Sequence, residues 1–182
     1  MAGKLVYLLL AEGFEETEAL CTLDVLRRGG LNAKTVAVGK DLLVYSTHGV
    51  GVKADLLLED VVGTQPAAVV LPGGMPGANN LDTPEVRKML LDADARGDLV
   101  CAICAAPKLP GKLGLLKGKK AVCFPGFESE LKGAILQSDR VVRDGNVVTA
   151  IGMGASLEFG LAILIALGEG EKADKIAASI FA

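Results

Sequence analysis

The chain has one histidine, no tryptophan and only 4% aromatic residues. A core built from it is therefore aliphatic and rich in Ala and Gly, and any Cys–His chemistry has to use His48. Cationic excess is also missing: 19 Lys+Arg stand against 22 Asp+Glu, a formal charge of −3. That balance lacks the electrostatic footprint of nucleic-acid or anionic-membrane binding. Four cysteines in 182 residues are too few for a disulfide scaffold. They lie within apolar runs, as suits reduced thiols and a cytoplasmic location. No apolar run is long enough for a bilayer; the densest, Leu157 to Leu167, contains Glu158. The start, Met1-Ala2-Gly3-Lys4, leads into an apolar segment without a small-residue cleavage site, so no signal peptide is expected.

Apolar material is abundant. At 51% hydrophobic and 23% charged, the composition excludes disorder and supplies a sizeable core. The length suits a single domain over residues 1–182, without repeats or linkers. Short apolar runs at Lys4–Leu10, Ala33–Val38, Ala67–Leu71, Asp98–Ile103 and Ala121–Phe124 read as strands. Leu43–Lys53, broken at Thr47-His48-Gly49, reads as a small hairpin. A second hairpin, Val141–Arg143 with Asn146–Ile151, turns at Asp144-Gly145.

Helical patterns alternate with these strands. Glu15–Gly29 carries a stripe of Ala19, Leu20, Leu23 and Leu26. Thr83-Pro84-Glu85 caps and opens a helix that reaches about Arg96, and Pro107–Leu116 is a short helix. Leu157–Leu167 is apolar nearly all round and predicts a buried helix; Glu171–Phe181 closes the chain as an amphipathic one. Strands that are unbroken apolar runs, alternating with helices, predict a parallel, doubly wound α/β sandwich.

Ligands in such sheets bind beyond the carboxyl ends of the strands. Three loops leave strands there: Ala11 to Glu18, Pro72 to Gly77, and Cys104-Ala105-Ala106-Pro107. Cys104 follows a strand and precedes small residues and a proline, the pattern of a nucleophile held on a tight strand-to-helix turn. A helix start beside it would favour thiolate and lower the thiol pKa. The competing reading is a buried structural cysteine. Glu18, in the first turn of the first helix, could reach Cys104. As a carboxylate it would raise the thiol pKa; as a protonated acid it could donate to a thiolate, and the two would titrate together. Glu15, Glu16 and Glu18 could equally be ordinary acidic decoration of a helix N-terminus. Gly73 and Gly74 offer backbone N–H groups for an anion or oxyanion, or form a plain turn.

Other constellations are weaker. Cys101 and Cys104 spell C-x-x-C, but Cys101 lies inside a strand, whereas redox pairs place both thiols at a helix start. Cys21, Cys101, Cys104 and Cys123 lack zinc-finger spacing, and with one histidine no metal site is expected. Gly152-Met153-Gly154-Ala155-Ser156-Leu157 is an incomplete dinucleotide loop, and no Walker loop occurs, so no cofactor is expected. His48 reads as a surface turn residue.

Ala11-Glu12-Gly13-Phe14-Glu15-Glu16-Thr17-Glu18, Asp24-Val25-Leu26-Arg27-Arg28, Leu71-Pro72-Gly73-Gly74 and Ala102-Ile103-Cys104-Ala105-Ala106-Pro107 follow one another in order. With these motifs the chain resembles the ThiJ/PfpI superfamily over essentially its full length, and within it the branch of the parkinsonism-associated protein deglycase and its bacterial relatives. The resemblance implies a flavodoxin-like three-layer α/β sandwich with a mostly parallel sheet, and a homodimer. It implies that Cys104 is the reactive cysteine and Glu18 its protonated partner, with Gly73, Gly74 and Ala105 lining the oxyanion pocket. By the same resemblance Arg27, Arg28 and His48 would approach that pocket across a dimer. The implied activities are those of a cofactor-independent glyoxalase or deglycase acting on methylglyoxal and its adducts, or of an oxidative-stress sensor or chaperone.

Two departures refine this. Ala105 stands where protease-like and amidase-like members carry a histidine, which argues against peptidase or amidotransferase chemistry. Phe124, before Pro125, stands where the animal deglycase type has a pocket histidine, so the pocket should be more apolar and lack that proton shuttle.

Overall fold

A computed structural model describes residues 3–182; Met1 and Ala2, part of the N-terminal start considered above, lie outside the described residues. The strands are β1 (Leu5–Leu10), β2 (Asn32–Ala37), β3 (Leu43–Tyr45), β4 (Gly51–Lys53), β5 (Leu56–Leu57), β6 (Ala68–Leu71), β7 (Leu99–Ile103), β8 (Lys120–Ala121), β9 (Ile135–Leu136), β10 (Val141–Asp144) and β11 (Val147–Ala150). The helices are α1 (Glu16–Arg28), α2 (Gly77–Asn80), α3 (Pro84–Arg96), α4 (Lys108–Lys112), α5 (Ser156–Ala166) and α6 (Gly170–Ser179).

Seven strands form one sheet in the order β10-β11-β7-β6-β1-β2-β5. All neighbours are parallel except β10, which returns antiparallel on β11. Alternation along β1 shows why both sheet faces are covered. Val6, Leu8 and Leu10 enter one core with Leu26, Phe159 and Ile163 of α1 and α5. Tyr7 and Leu9 enter the other with Met89 and Leu90 of α3. The chain is thus a mostly parallel three-layer α/β sandwich, and none of its helices is long and apolar enough to cross a membrane among the described residues.

Helix ends follow local chemistry. The Thr83 side chain accepts from the Val86 N–H at 3.2 Å, Pro84 takes the first helical position, and Gly97 ends α3 at a φ of 77°. α1 and α5 lie side by side because position 160 has no side chain. A Cβ on Gly160 would sit 2.9 Å from Val25 Cβ, a rigid β-branched neighbour. Gly160→Ala is therefore expected to destabilise the fold by about 1–3 kcal/mol through overpacking, outweighing alanine's better helix propensity. Urea unfolding measures this; a stabilised variant would show that the two helices yield.

Two expectations are corrected. Strand pairing ends at Ala121 instead of continuing to Phe124: the Val122 N–H goes to the Thr149 hydroxyl at 3.0 Å and the Phe124 N–H to the Cys104 carbonyl at 2.8 Å. Helix α5 is buried on one face only. Phe159, Gly160, Ile163 and Leu164 pack inward, while Leu157 and Ile165 (49% exposed) face out.

Candidate active site

The site forms where β1, β6 and β7 end side by side. Beyond β1, Glu15 caps α1: its Oε2 accepts the Glu18 N–H at 2.6 Å. The same residue's N–H donates to the Gly73 carbonyl at 3.0 Å, and the Gly77 N–H donates to the Gly13 carbonyl at 3.0 Å. The first two loops are thereby laced together by backbone bonds. Glycine is required at this junction. A Cβ on Gly74, whose φ is 89°, would lie 2.5 Å from the Glu15 nitrogen and 2.6 Å from the Gly13 oxygen.

Glu18 points from the first turn of α1 into this junction and is 1% exposed. Its Oε2 accepts the Gly73 N–H at 2.7 Å, while Oε1 is buried with no hydrogen-bond partner among the described residues. Burial pushes its pKa from 4.5 up to about 7, against the Gly73 N–H and the Cys104 thiol, which favour the carboxylate; the nearby Glu15 charge raises it further.

Cys104 follows β7 directly and has a φ of 64°, a left-handed conformation that a residue with a side chain rarely adopts. Two backbone bonds hold it there: its N–H donates to the Ala150 carbonyl at 2.9 Å, and its carbonyl accepts the Phe124 N–H at 2.8 Å. A residue pinned on both sides in this conformation at a strand end is strained. The sulfur is half-buried and within hydrogen-bonding reach of the Glu18 carboxyl and the N–H groups of Gly74 and Ala105. Glu18 Oε2 and Cys104 Cβ flank the spot a Gly73 Cβ would occupy, at 2.7 and 2.8 Å. Any side chain there would separate acid from thiol.

The expectation of a depressed thiol pKa is overturned. Burial and the adjacent Glu18 carboxylate push the Cys104 thiol up to about 12, and the Ala105 and Gly74 N–H groups offset only part of this. The physical reason is that the sulfur is largely withdrawn from water beside a carboxylate, while α4 begins only at Lys108. The thiolate becomes accessible only when Glu18 holds the proton, because the carboxylate's repulsion then disappears and its O–H can donate to sulfur. Gly73 also plays a different part from the oxyanion donor expected. Its N–H is committed to Glu18, which leaves Gly74 and Ala105 as the donors beside the sulfur.

The sequence matches the DJ-1/PfpI family over residues 4–166. The chain belongs to the DJ-1/PfpI family. It is 35% identical to the Parkinson disease protein 7 homolog of Danio rerio over 185 residues, covering 99% of this chain and 98% of that protein. It is 39% identical to protein DJ-1 homolog B of Arabidopsis thaliana, covering 95% of this chain but 40% of the plant protein; for the related plant homolog A that share is 45%. The chain thus spans less than half the length of these two plant relatives. Among solved structures, oxidized DJ-1 of Toxoplasma gondii superposes with a TM-score of 0.94 at 35% identity, covering 98% of both chains. Drosophila melanogaster DJ-1beta superposes with a TM-score of 0.93 at 32% identity, again covering 98% of both. The family and the flavodoxin-like fold expected from the sequence are borne out.

Within this DJ-1/PfpI chain the other candidate residues are distributed unevenly. Phe124 adjoins the site through its bond to the Cys104 carbonyl and is 47% exposed, an apolar wall in contact range of Gly152. Glu15 serves as the cap of α1. Arg28 lies at the far end of α1, about 15 Å along the helix axis from Glu18 at 1.5 Å per residue, and pairs with Asp24 at 2.6 Å. His48 is exposed on the β3–β4 turn, with Nδ1 2.8 Å from Glu16 Oε1. Neither Arg28 nor His48 joins Cys104 within one chain. Glu15, Glu16 and His48 bring potential metal-ligand atoms within 4.8 Å of one another, but hydrogen bonds already occupy Glu15 Oε2 and Glu16 Oε1. The sequence reading missed a cleft whose walls come from segments far apart in the chain.

Proposed function

We propose that this protein is a cysteine-dependent, cofactor-independent glyoxalase or deglycase acting on methylglyoxal or its adducts, with Cys104 as nucleophile and Glu18 as its proton partner. The observation that carries the reading is the strained Cys104 with a buried Glu18 carboxyl on one side and two backbone donors on the other. The reactive state has the proton on Glu18 and the charge on sulfur. The thiolate attacks the aldehyde carbon, forming a C–S bond, and Glu18 protonates the resulting alkoxide. The Glu18 carboxylate then removes the hydrogen from that carbon and returns it to the neighbouring one, while the hydroxyl proton crosses to the adjacent oxygen. The product is a thioester. Water cleaves the C–S bond, releasing a 2-hydroxy acid and restoring one proton to the pair. Gly74 and Ala105 N–H groups stabilise negative charge beside the sulfur. Phe124 supplies no proton, so turnover is expected to be modest.

Cys104→Ser tests this directly. Lactate formation from methylglyoxal should fall to background, and a rate equal to wild type would remove Cys104 from the mechanism. A second reading, a non-catalytic redox sensor or chaperone, is favoured by the half-exposed sulfur with its donors: a protonated Glu18 would hydrogen-bond a sulfinate. The Toxoplasma relative is described as oxidized. Mild peroxide followed by mass spectrometry should modify Cys104 ahead of Cys21, Cys101 and Cys123, and even modification would count against both readings. The outward Leu20, Leu157 and Ile165 on adjoining helices α1 and α5 support a homodimer through this apolar face.

A further inference from the structure

A cleft of about 470 Å³ is lined by residues that follow the site segments in the chain. Its walls continue the segments that hold the sulfur. Met75 follows Gly74, whose N–H faces the sulfur; Lys108 and Leu109 start α4, four residues after Cys104; Gly126 and Phe127 follow Phe124, which binds the Cys104 carbonyl. The lining is mixed: Met75, Leu109 and Phe127 are apolar, and charged groups stand around them.

The charges are unequally matched. Asp82 is paired twice, with Lys112 at 2.6 Å and with Arg87 at 2.5 Å. Lys108, among the described residues, has no carboxylate within ion-pair distance. Its ammonium is held by the Asn79 side-chain oxygen and lies 5.5 Å from the centre of the Phe127 ring. A cation fixed in place and partly desolvated, with no anion in direct contact, can still take one as a partner. Glu130 also lines the cleft, and its carboxylate makes no ion pair among the described residues, so it sets a repulsive limit on any anion bound there. Burial lowers the Lys108 pKa and Lys112 adds to this, while the Glu130 and Asp82 carboxylates act against it without offsetting it.

We propose that this cleft is a recognition site for a short apolar arm ending in a carboxylate, with Lys108 pairing the carboxylate and Met75, Leu109 and Phe127 covering the carbon chain. Resting on the reading of Cys104 above, this makes the preferred substrates carbonyl compounds that carry a carboxylate at the end remote from the reacting carbon, instead of bare methylglyoxal.

The test is a binding measurement on the wild-type protein that does not depend on turnover. Levulinate (4-oxopentanoate) and its methyl ester are titrated against the backbone amide spectrum. Levulinate should shift the amides of Met75, Lys108 and Phe127, and the ester should bind about tenfold more weakly, the effect of losing about 1.4 kcal/mol. Lys108→Met should abolish the difference between acid and ester, and Glu130→Gln should tighten levulinate by removing a like charge. The opposite responses separate a charge effect from mere loss of packing. Equal affinity of acid and ester, shifts confined to other surfaces, or no response to either variant would overturn the proposal. Methylglyoxal turnover lost in Cys104→Ser alongside absent levulinate binding would retain the catalytic reading and reject the cleft. Levulinate binding alongside Cys104-independent lactate formation would do the reverse.

Discussion

Glu18→Gln should depress methylglyoxal turnover by about 10²–10⁴-fold, the usual range for loss of a positioned acid–base group, while making the Cys104 thiol easier to ionise. The amide keeps the size of the side chain but neither carries charge nor transfers a proton. With the carboxylate gone, its repulsion of the thiolate is gone as well, and the thiol should titrate below the value of about 12 that it has beside Glu18. Ultraviolet thiolate absorbance against pH reads this, and superimposable curves for the two proteins would show that the groups are uncoupled. More thiolate with less turnover is a combination that simple damage to the fold does not produce.

The same variant has a stability signature with a definite sign. Glu18 titrates near 7 in the folded protein and near 4.5 in the ordinary state. Between those values the folded chain holds the proton that the unfolded chain has released. The contribution of Glu18 to stability is therefore complete below pH 4.5 and declines as pH rises to about 7. The decline is about 3 kcal/mol, since each pKa unit corresponds to about 1.4 kcal/mol. Urea unfolding of wild type relative to Glu18→Gln should lose that amount across the window. A flat difference would show that Glu18 is ionised in the native state at all these pH values.

Gly74→Ala is the second large effect expected, a loss of about 3–5 kcal/mol. The left-handed φ of 89° alone costs an alanine about 1–2 kcal/mol. The rest comes from overpacking. The new Cβ would fall 2.5–2.7 Å from backbone atoms of Gly13, Phe14 and Glu15, and these cannot swing aside as a flexible side chain can. Gly49→Ala is the control: its φ is 79°, but nothing lies within 4 Å of the added methyl. It should lose only the conformational cost of about 1–2 kcal/mol. Urea unfolding compares the two. Similar losses would mean that the Gly13–Gly74 junction adapts, and that the loops carrying Glu18 and Cys104 are less tightly locked than their hydrogen bonds indicate.

Much of this architecture was legible because its signals are local. Thr83 and Pro84 mark the start of α3, and the apolar runs of β1, β6 and β7 mark strands covered on both faces. Cys104 stood out because it ends such a run before small residues and a proline. The errors share a different origin. Phe124 leaves the strand pattern because a distant carbonyl, that of Cys104, takes its N–H. Helix α5 looked wholly buried because an exposed apolar side chain and a packed one have the same composition. The thiol pKa was misjudged because burial and the adjacent Glu18 carboxylate together outweigh two backbone donors.

From the amino-acid order alone came the alternation of strands and helices, the three loops at the carboxyl ends of the strands and the pairing of Cys104 with Glu18 as candidates, since periodicity, capping and turn residues act over a few positions. Tertiary structure alone decided that the Gly73 N–H belongs to Glu18, that Gly74 and Ala105 face the sulfur, that Arg28 and His48 lie away from it, and that Lys108 makes no contact ion pair among the described residues. Those outcomes depend on which groups from remote segments compete for the same few ångströms, and on how far burial strips water from charge, and neither is encoded in any short stretch of chain.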